Sequence, residues 1–319
     1  MTPRVGIGLP VYNGENFLVE ALESILAQTF EDWGLVICDN ASTDRTGEIC
    51  RDYAARDPRI TYSRAERNLG ASPNFNRAFQ LSSGEYFRWH CHDDLMAPTY
   101  LERCVATLDA ESDSAVCHSL VELIDERGQR LDVHDSNLVG ADSTRPSTRF
   151  GALAVRPHQV TDLDGLIRSD CLRRTRLVES FHGSDRSLLC ELALLGRFLQ
   201  VREPLFMTRE HPDRYRRAAV SPEERLAFHD TSRSVRFTFP TWRLLGSYLG
   251  MVGRHVGRLS DRLLCYGQLV RWLPSNWNWA RMIVDIVAAV DPRALVWAER
   301  LKQRMFSPEP GPQVKKTQK

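Results

Sequence analysis

Tyr86-Phe87-Arg88-Trp89-His90-Cys91-His92-Asp93-Asp94 is the stretch whose reading decides the fold. Its largely apolar start, Tyr86 to Trp89, predicts a short buried strand. Two adjacent carboxylates follow, then Leu95-Met96-Ala97-Pro98, where a new helix is expected to begin. Neighbouring aspartates at a strand end repel each other unless a cation or hydrogen-bond donors neutralise them. In an open α/β sheet, ligands bind beyond the carboxyl ends of the strands. The hexapeptide from Trp89 to Asp94 therefore has two readings. One is a divalent-metal site for a phosphorylated substrate, because carboxylates suit hard cations such as Mg2+ and Mn2+. The other is a helix cap beside a solvated aspartate.

The residues upstream repeat the same plan. Val5, Ile7 and Leu9 alternate with small residues as a first strand, ending in the turn cluster Pro10-Val11-Tyr12-Asn13-Gly14. Phe17, Leu18, Ala21, Leu22, Ile25 and Leu26 recur at helical spacing. Trp33 to Cys38 predicts a second buried strand, followed by Asp39-Asn40 and by cap candidates in Ala41-Ser42-Thr43-Asp44. A helix to about Arg56, a strand at Ile60-Thr61-Tyr62, a turn at Asn68-Leu69-Gly70 and a helix through Phe75 and Phe79 come next. Ser72-Pro73 predicts a cap and a proline in that helix's first turn. Strand–helix alternation implies a mostly parallel sheet with helices on both faces. Polar clusters fall at successive strand ends, at Tyr12-Asn13, Asp39-Asn40, Asn68 and Asp93-Asp94, as a single nucleotide pocket requires. The glycine patterns of dinucleotide folds and P-loops are absent.

Downstream, a helix through Tyr100, Leu101, Cys104, Val105 and Leu108 precedes a strand from Ala115 to Ser119 and a hairpin centred on Asp125-Glu126-Arg127-Gly128. Ser136 to His158 reads as a long loop. Leu166-Ile167 is a short strand. Phe181-His182-Gly183-Ser184-Asp185 leads into a helix with Leu188, Leu189, Leu192 and Leu195 on its apolar face. Phe198 to Val201 and Leu205 to Thr208 read as strands, the latter ending at Arg209-Glu210-His211-Pro212. Beyond about Tyr215 the alternation stops, and helical apolar repeats with clustered Trp and Arg predict an extension of helices. The expected division is 1–215 for the α/β domain, 216–306 for the helical extension and 307–319 for a disordered Pro, Gln and Lys-rich tail.

Composition narrows the class. With 42% hydrophobic and 26% charged residues, the chain reads as an ordinary globular protein, and a net charge of +1 makes no case for nucleic-acid binding. No secretory signal or bilayer-spanning run is visible, so a cytoplasmic location is expected. Eight cysteines without a Cys-x-x-Cys pair read as free thiols in a reducing compartment, not as a zinc site.

In their order and spacing, Leu9-Pro10-Val11-Tyr12-Asn13, Asp39 to Asp44, Asn68-Leu69-Gly70, His92-Asp93-Asp94, Gly183-Ser184-Asp185 and Arg209-Glu210-His211 resemble the family 2 glycosyltransferases. These are inverting enzymes of the GT-A fold that use nucleotide-activated sugars, and the resemblance covers roughly residues 4–212. It implies that Pro10, Tyr12 and Asn13 pack against the nucleoside and that Asp39 accepts from the imide of a uracil or thymine. It places Asn68 and Asn76 along the nucleotide pocket, Asp93 on ribose and metal, and Asp94 as the main ligand of Mn2+ or Mg2+. His211 is expected at the metal or diphosphate and Asp185 as the catalytic base, with a helix cap as its plainer role. Many relatives carry an aspartate where this chain has Cys91, and a thiol does not replace a carboxylate for Mg2+.

The chemistry implied is displacement of a nucleoside diphosphate, UDP or dTDP, by an acceptor hydroxyl with inversion. A divalent cation stabilises the leaving phosphate and a carboxylate takes the hydroxyl proton. A nucleotidyltransferase and an inactive sugar-nucleotide-binding scaffold are the alternatives. The acceptor is a glycan or lipid-linked molecule, as in cell-envelope polysaccharide or glycolipid synthesis. Trp beside Arg in the helical extension suits either a peripheral contact with the inner face of the membrane or packing on protein, including a homodimer through these helices.

Overall fold

All seven residues of β1 (Val5–Val11) are buried, as a strand covered on both faces by helices must be. The computed structural model describes residues 2–156, 163–181, 183–212, 231 and 239–290. After β1 come α1 (Leu18–Leu26), β2 (Trp33–Asp39), α2 (Thr46–Arg56), β3 (Ile60–Arg64), α3 (Ala71–Leu81) and β4 (Tyr86–Trp89). β2 and β4 flank β1 and both run parallel to it, with β3 parallel to β2. The sheet therefore reverses direction of growth beside β1, between β1 and β4, which opens a crevice at their carboxyl ends.

The second half is mixed. β5 (Leu95–Met96), α4 (Tyr100–Ala110), β6 (Ser114–Ile124), β7 (Arg130–His134), α5 (Pro146–Ala154), β8 (Leu166–Arg168), α6 (Ser169–Arg173), α7 (Ser184–Leu195) and β9 (Arg197–Arg209) complete the sheet in the order β3-β2-β1-β4-β8-β6-β9-β5, with β7 on β6. β8 joins β4 and β6 antiparallel, while β9 runs parallel to β6 and antiparallel to β5. Side chains from α1, α2 and α4 fill one face of the sheet and those from α3, α5 and α7 the other.

Four local expectations need correction. Leu95-Met96 pairs with Met207 and Phe206 instead of opening a helix, and Ala97 N–H donates to Leu205 O at 2.8 Å, so the helix starts only at Tyr100. The long loop from Ser136 contains α5, which has Pro146 in its first turn and buries Phe150 and Leu153. Ser72 lies inside the first turn of α3, where its hydroxyl donates to Glu179 O at 3.3 Å. Gly70, with φ +89°, makes the entry that an L side chain rarely adopts. The two strands expected at Phe198 and Leu205 are one continuous β9 whose register shifts opposite Leu120.

After residue 239 come α8 (Pro240–His255), α9 (Leu259–Trp272) and α10 (Asn278–Val290). They share the core beneath α5 and α7, through Tyr248, Met251, Cys265, Leu269 and Trp272. The expected boundary near Tyr215 and the tail from 307 lie outside the described residues.

Candidate active site

β4 delivers its loop directly to the crevice. His90 N–H donates to Gly8 O at 2.9 Å, prolonging the pairing with β1 by one residue. The ring of His90 is fully buried, and desolvation, reinforced by Arg88, holds it neutral, well below the usual histidine range. His92 packs against Gly14 so closely that a Cβ there would lie 2.5 Å from its ring. Between and beyond these rings, one ligand atom from each of Cys91, Asp93 and Asp94 comes within 4.8 Å of the others.

The end of β9 fixes this loop from the opposite side. Asp94 is buried, and its Oδ1 accepts from Thr208 Oγ1 at 2.9 Å and from Arg209 N at 3.1 Å. Asp93 Oδ2 meets His211 Nε2 at 3.0 Å. The wholly buried Arg209 donates through Nε to Asp93 O and through Nη2 to Glu20 Oε2 at 2.6 Å. Its Nη1 donates to Glu126 O at 3.0 Å, and its guanidinium lies 4.6 Å from the Phe17 ring centre. One side chain thus joins α1, the β6–β7 turn and the aspartate loop. Because a buried guanidinium is costly unless its donors are used, this arrangement is highly constrained.

The expected nucleoside-side residues form a second tier. Pro10 is buried in β1, and Tyr12 stands exposed just past its end. Asn13, with φ +50°, donates its N–H to Ser42 Oγ at 2.9 Å and accepts from Thr43 N at 2.8 Å. Asp39 has no exposed surface. Its Oδ1 accepts from Ser42 N at 2.8 Å, and its Oδ2 from Tyr62 Oη at 2.7 Å and Arg64 Nη1 at 2.6 Å. Burial alone would raise its carboxyl, but the bonds from Ser42, Tyr62 and Arg64 outweigh it and hold the group below the ordinary range. Asn68 Oδ1 accepts from Asn40 Nδ2 and Gly70 N, locking the entry to α3. Asn76 spends both ends of its amide on the backbone of Val178, at 2.9 and 3.0 Å.

Asp185 is the second residue of α7, which follows Gly183 at φ +93°. Its Oδ1 accepts from Arg186 N at 2.7 Å. The structure thus brings Asp93 and Asp94 together with Cys91, and sets His211 against Asp93. It sets Asp39 at the last position of β2 and Asn13 and Asn68 in the loops after β1 and β3. Asn76 clamps α3 to the segment before α7, and Asp185 is tied to its own helix. Thr208, Arg209 and Glu20 are members that sequence reasoning missed. Arg209 lay within a recognised motif, but its partners are far apart in the chain.

Chemically, two carboxylates and a thiol converging at strand ends can hold a divalent cation, and a cation there can bind a diphosphate. Comparisons with known proteins identify the family and the fold. Residues 7–162 match the sequence profile of Glycosyl transferase family 2. The uncharacterized protein y4gI of Sinorhizobium fredii (strain NBRC 101917 / NGR234) is 37% identical over 134 residues, 41% of this chain, but the match spans only 15% of y4gI. Among solved structures, S. aureus TarS 1-349 in complex with UDP superposes with a TM-score of 0.61 at 16% identity, covering 91% of this chain and 82% of that one. That likeness establishes the GT-A fold. The putative glycosyltransferase EpsE of Bacillus subtilis (strain 168) is 31% identical over 228 residues, covering 69% of this chain and 77% of EpsE. With a relative of that identity matched over most of its length, this chain belongs to glycosyl transferase family 2.

Proposed function

We propose that the chain transfers a sugar from a nucleoside-diphosphate sugar to an acceptor hydroxyl, with inversion at the sugar carbon. The observation that carries this reading is the Asp93–Asp94 pair, fixed by the end of β9 at the carboxyl ends of the strands of a family 2 fold. Asp94 and Asp93, with His211 beside them, would hold Mn2+ or Mg2+, the two carboxylates supplying the oxygen ligands such an ion takes, next to the thiol of Cys91. When bound, the ion supplies Lewis acidity for the departing diphosphate. Asp185, half-buried at the start of α7, takes the proton of the attacking hydroxyl from the opposite face.

In this reading Tyr12 stacks on the base, with Pro10 and Asn13 shaping the turn beneath it. The base imide meets the remaining acceptor capacity of Asp39 Oδ1, next to the half-exposed Arg64. Asn68 and Asn76 hold the walls of the pocket. TarS, of the same fold, has been solved with UDP and with UDP-GlcNAc, so a uridine donor is the first to try, with dTDP-sugars next. The acceptor is a glycan or lipid-linked hydroxyl of the cell envelope, met in the cytoplasm at the inner face of the membrane. The helices from 240 to 290 make that contact or pair two copies. The test is hydrolysis and transfer with a panel of UDP-, dTDP- and GDP-sugars in Mn2+, with the product anomer read by NMR. Turnover of a uridine or thymidine donor with inversion is expected, and retention or complete inactivity across the panel overturns the proposal.

A further inference from the structure

We infer that Cys91 makes the divalent-cation site of this chain thiophilic, so that it holds Zn2+ and Co2+ in preference to Mg2+, with Mn2+ in between. This inference rests on the proposed reading of Asp93 and Asp94 as a cation site. Six of the other seven cysteines are buried, and Cys171, the seventh, packs at the edge of a core; none of the seven joins a carboxylate cluster among the described residues. Cys91 instead sits in the polar loop after β4, one residue before His92. Its sulfur and an oxygen from each aspartate lie within 4.8 Å of one another. Metal–sulfur and metal–oxygen bonds of about 2.3 and 2.1 Å let one ion reach atoms so spaced, with small side-chain adjustment.

The two carboxylates come to the sulfur already oriented. Thr208 Oγ1 and Arg209 N hold Asp94 by Oδ1, and His211 holds Asp93 by Oδ2. These bonds come from the end of β9 and the residues just past it, and they hold both aspartates with an oxygen each within 4.8 Å of the thiol. Mg2+ demands oxygen ligands and near-octahedral geometry, and gains little from sulfur. Thiolate favours Zn2+, Co2+ and other softer ions, and a thiol in the donor set therefore shifts selectivity without changing the fold.

The test is spectroscopic. Wild type, Cys91→Ser and Cys91→Asp are titrated with Co2+ in the presence of UDP, and the near-ultraviolet sulfur-to-cobalt charge-transfer band is followed. Calorimetry gives the affinities of Zn2+, Mn2+ and Mg2+ for each protein, and circular dichroism checks the fold. The expected result is a charge-transfer band in wild type only. The Zn2+ over Mg2+ preference should fall in Cys91→Asp on the order of tenfold or more, within the usual range for altered metal surroundings. Co2+ binding with the same spectrum in wild type and Cys91→Ser would overturn the inference while leaving the cation site in place. Failure of wild type to bind Co2+, Zn2+ or Mn2+, with or without UDP, would overturn both.

Discussion

Asp94 accepts two hydrogen bonds through a single oxygen, and that decides how its role is tested. Asp94→Ala removes the proposed metal ligand but also leaves Thr208 Oγ1 and the Arg209 amide without their acceptor. Unsatisfied buried donors cost about 1–3 kcal/mol each, so lost activity in that variant would be confounded by lost stability. Asp94→Asn keeps a carbonyl oxygen in place and weakens the ligand. We expect it to abolish transfer while the melting temperature stays close to wild type, and transfer at wild-type rate in Mn2+ would remove Asp94 from the metal site. For Asp185, the expected cap role falls to Gly183, and its carboxylate only accepts from the N–H of the next residue, Arg186. Asp185→Asn can keep that bond and removes only the proposed base. Donor binding should be unchanged and kcat should drop by roughly 10²–10⁴-fold. A kcat within a few-fold of wild type would leave Asp185 as a residue of the first turn of α7 with no part in the chemistry.

At the scale of elements, the junction of α7 with α8 depends on one buried charge. Glu191 on α7 accepts from Arg254 at 2.6 Å, from His255 at 2.8 Å and from the amide of Arg176. Burial pushes its carboxyl up, but His255 and Arg254 more than offset this and the group lies below its usual range. A depressed folded-state value stabilises the protein above the unfolded value, near 4.5, and that contribution fades as pH falls through the folded value. Glu191→Gln should therefore cost about 3 kcal/mol at neutral pH, at the low end for a broken buried pair because Arg254 is partly exposed. The gap between wild type and variant in urea unfolding should narrow on acidification below that value, and a gap independent of pH would contradict the assignment. The legible elements were those with a clean period: the alternation of Val5, Ile7 and Leu9, and the helical recurrence of Leu18, Leu22 and Ile25. α5 was hidden because its apolar residues, Phe150, Leu153 and Ala154, sit among Thr, Ser and Pro that mimic a loop. β5 was hidden because two residues carry no period, and only β9, about 110 residues later, makes them a strand. The aspartates were readable because they are adjacent. The Arg209 contacts to Glu20 and Glu126 were not, because tertiary structure alone brings those positions together.

At the scale of the whole molecule, the exposed large apolar side chains among the described residues concentrate on α8, α9 and α10. Among the described residues no helix is long and apolar enough to cross a membrane. Yet Leu259 and Val270 are each 68% exposed, Leu263 is 61% exposed and Trp277 54% exposed, with Ile283 and Ile286 also out in solvent. Large apolar side chains gathered on consecutive elements mark an interaction surface. The same segment, 240–290, carries six arginines against two aspartates, and one of those, Asp285, is buried where it accepts from Thr241 N. Tryptophan and arginine bordering an apolar face match the headgroup layer of an anionic bilayer, which gives the proposed peripheral contact its physical basis. Deleting the helices is a poor test, because Tyr248, Met251 and Trp272 belong to the core that also holds Phe150 and Leu188. Replacing only the exposed Leu263, Val270, Ile283 and Ile286 by Gln leaves that core intact. Wild-type protein should float with vesicles containing phosphatidylglycerol at low salt, and much less with neutral vesicles or at high salt, since screening weakens the arginine term. The fourfold variant should remain at the bottom of the gradient with its donor hydrolysis unchanged. If wild type does not float, and instead elutes as a dimer that the variant loses, the surface belongs to a second copy of the chain.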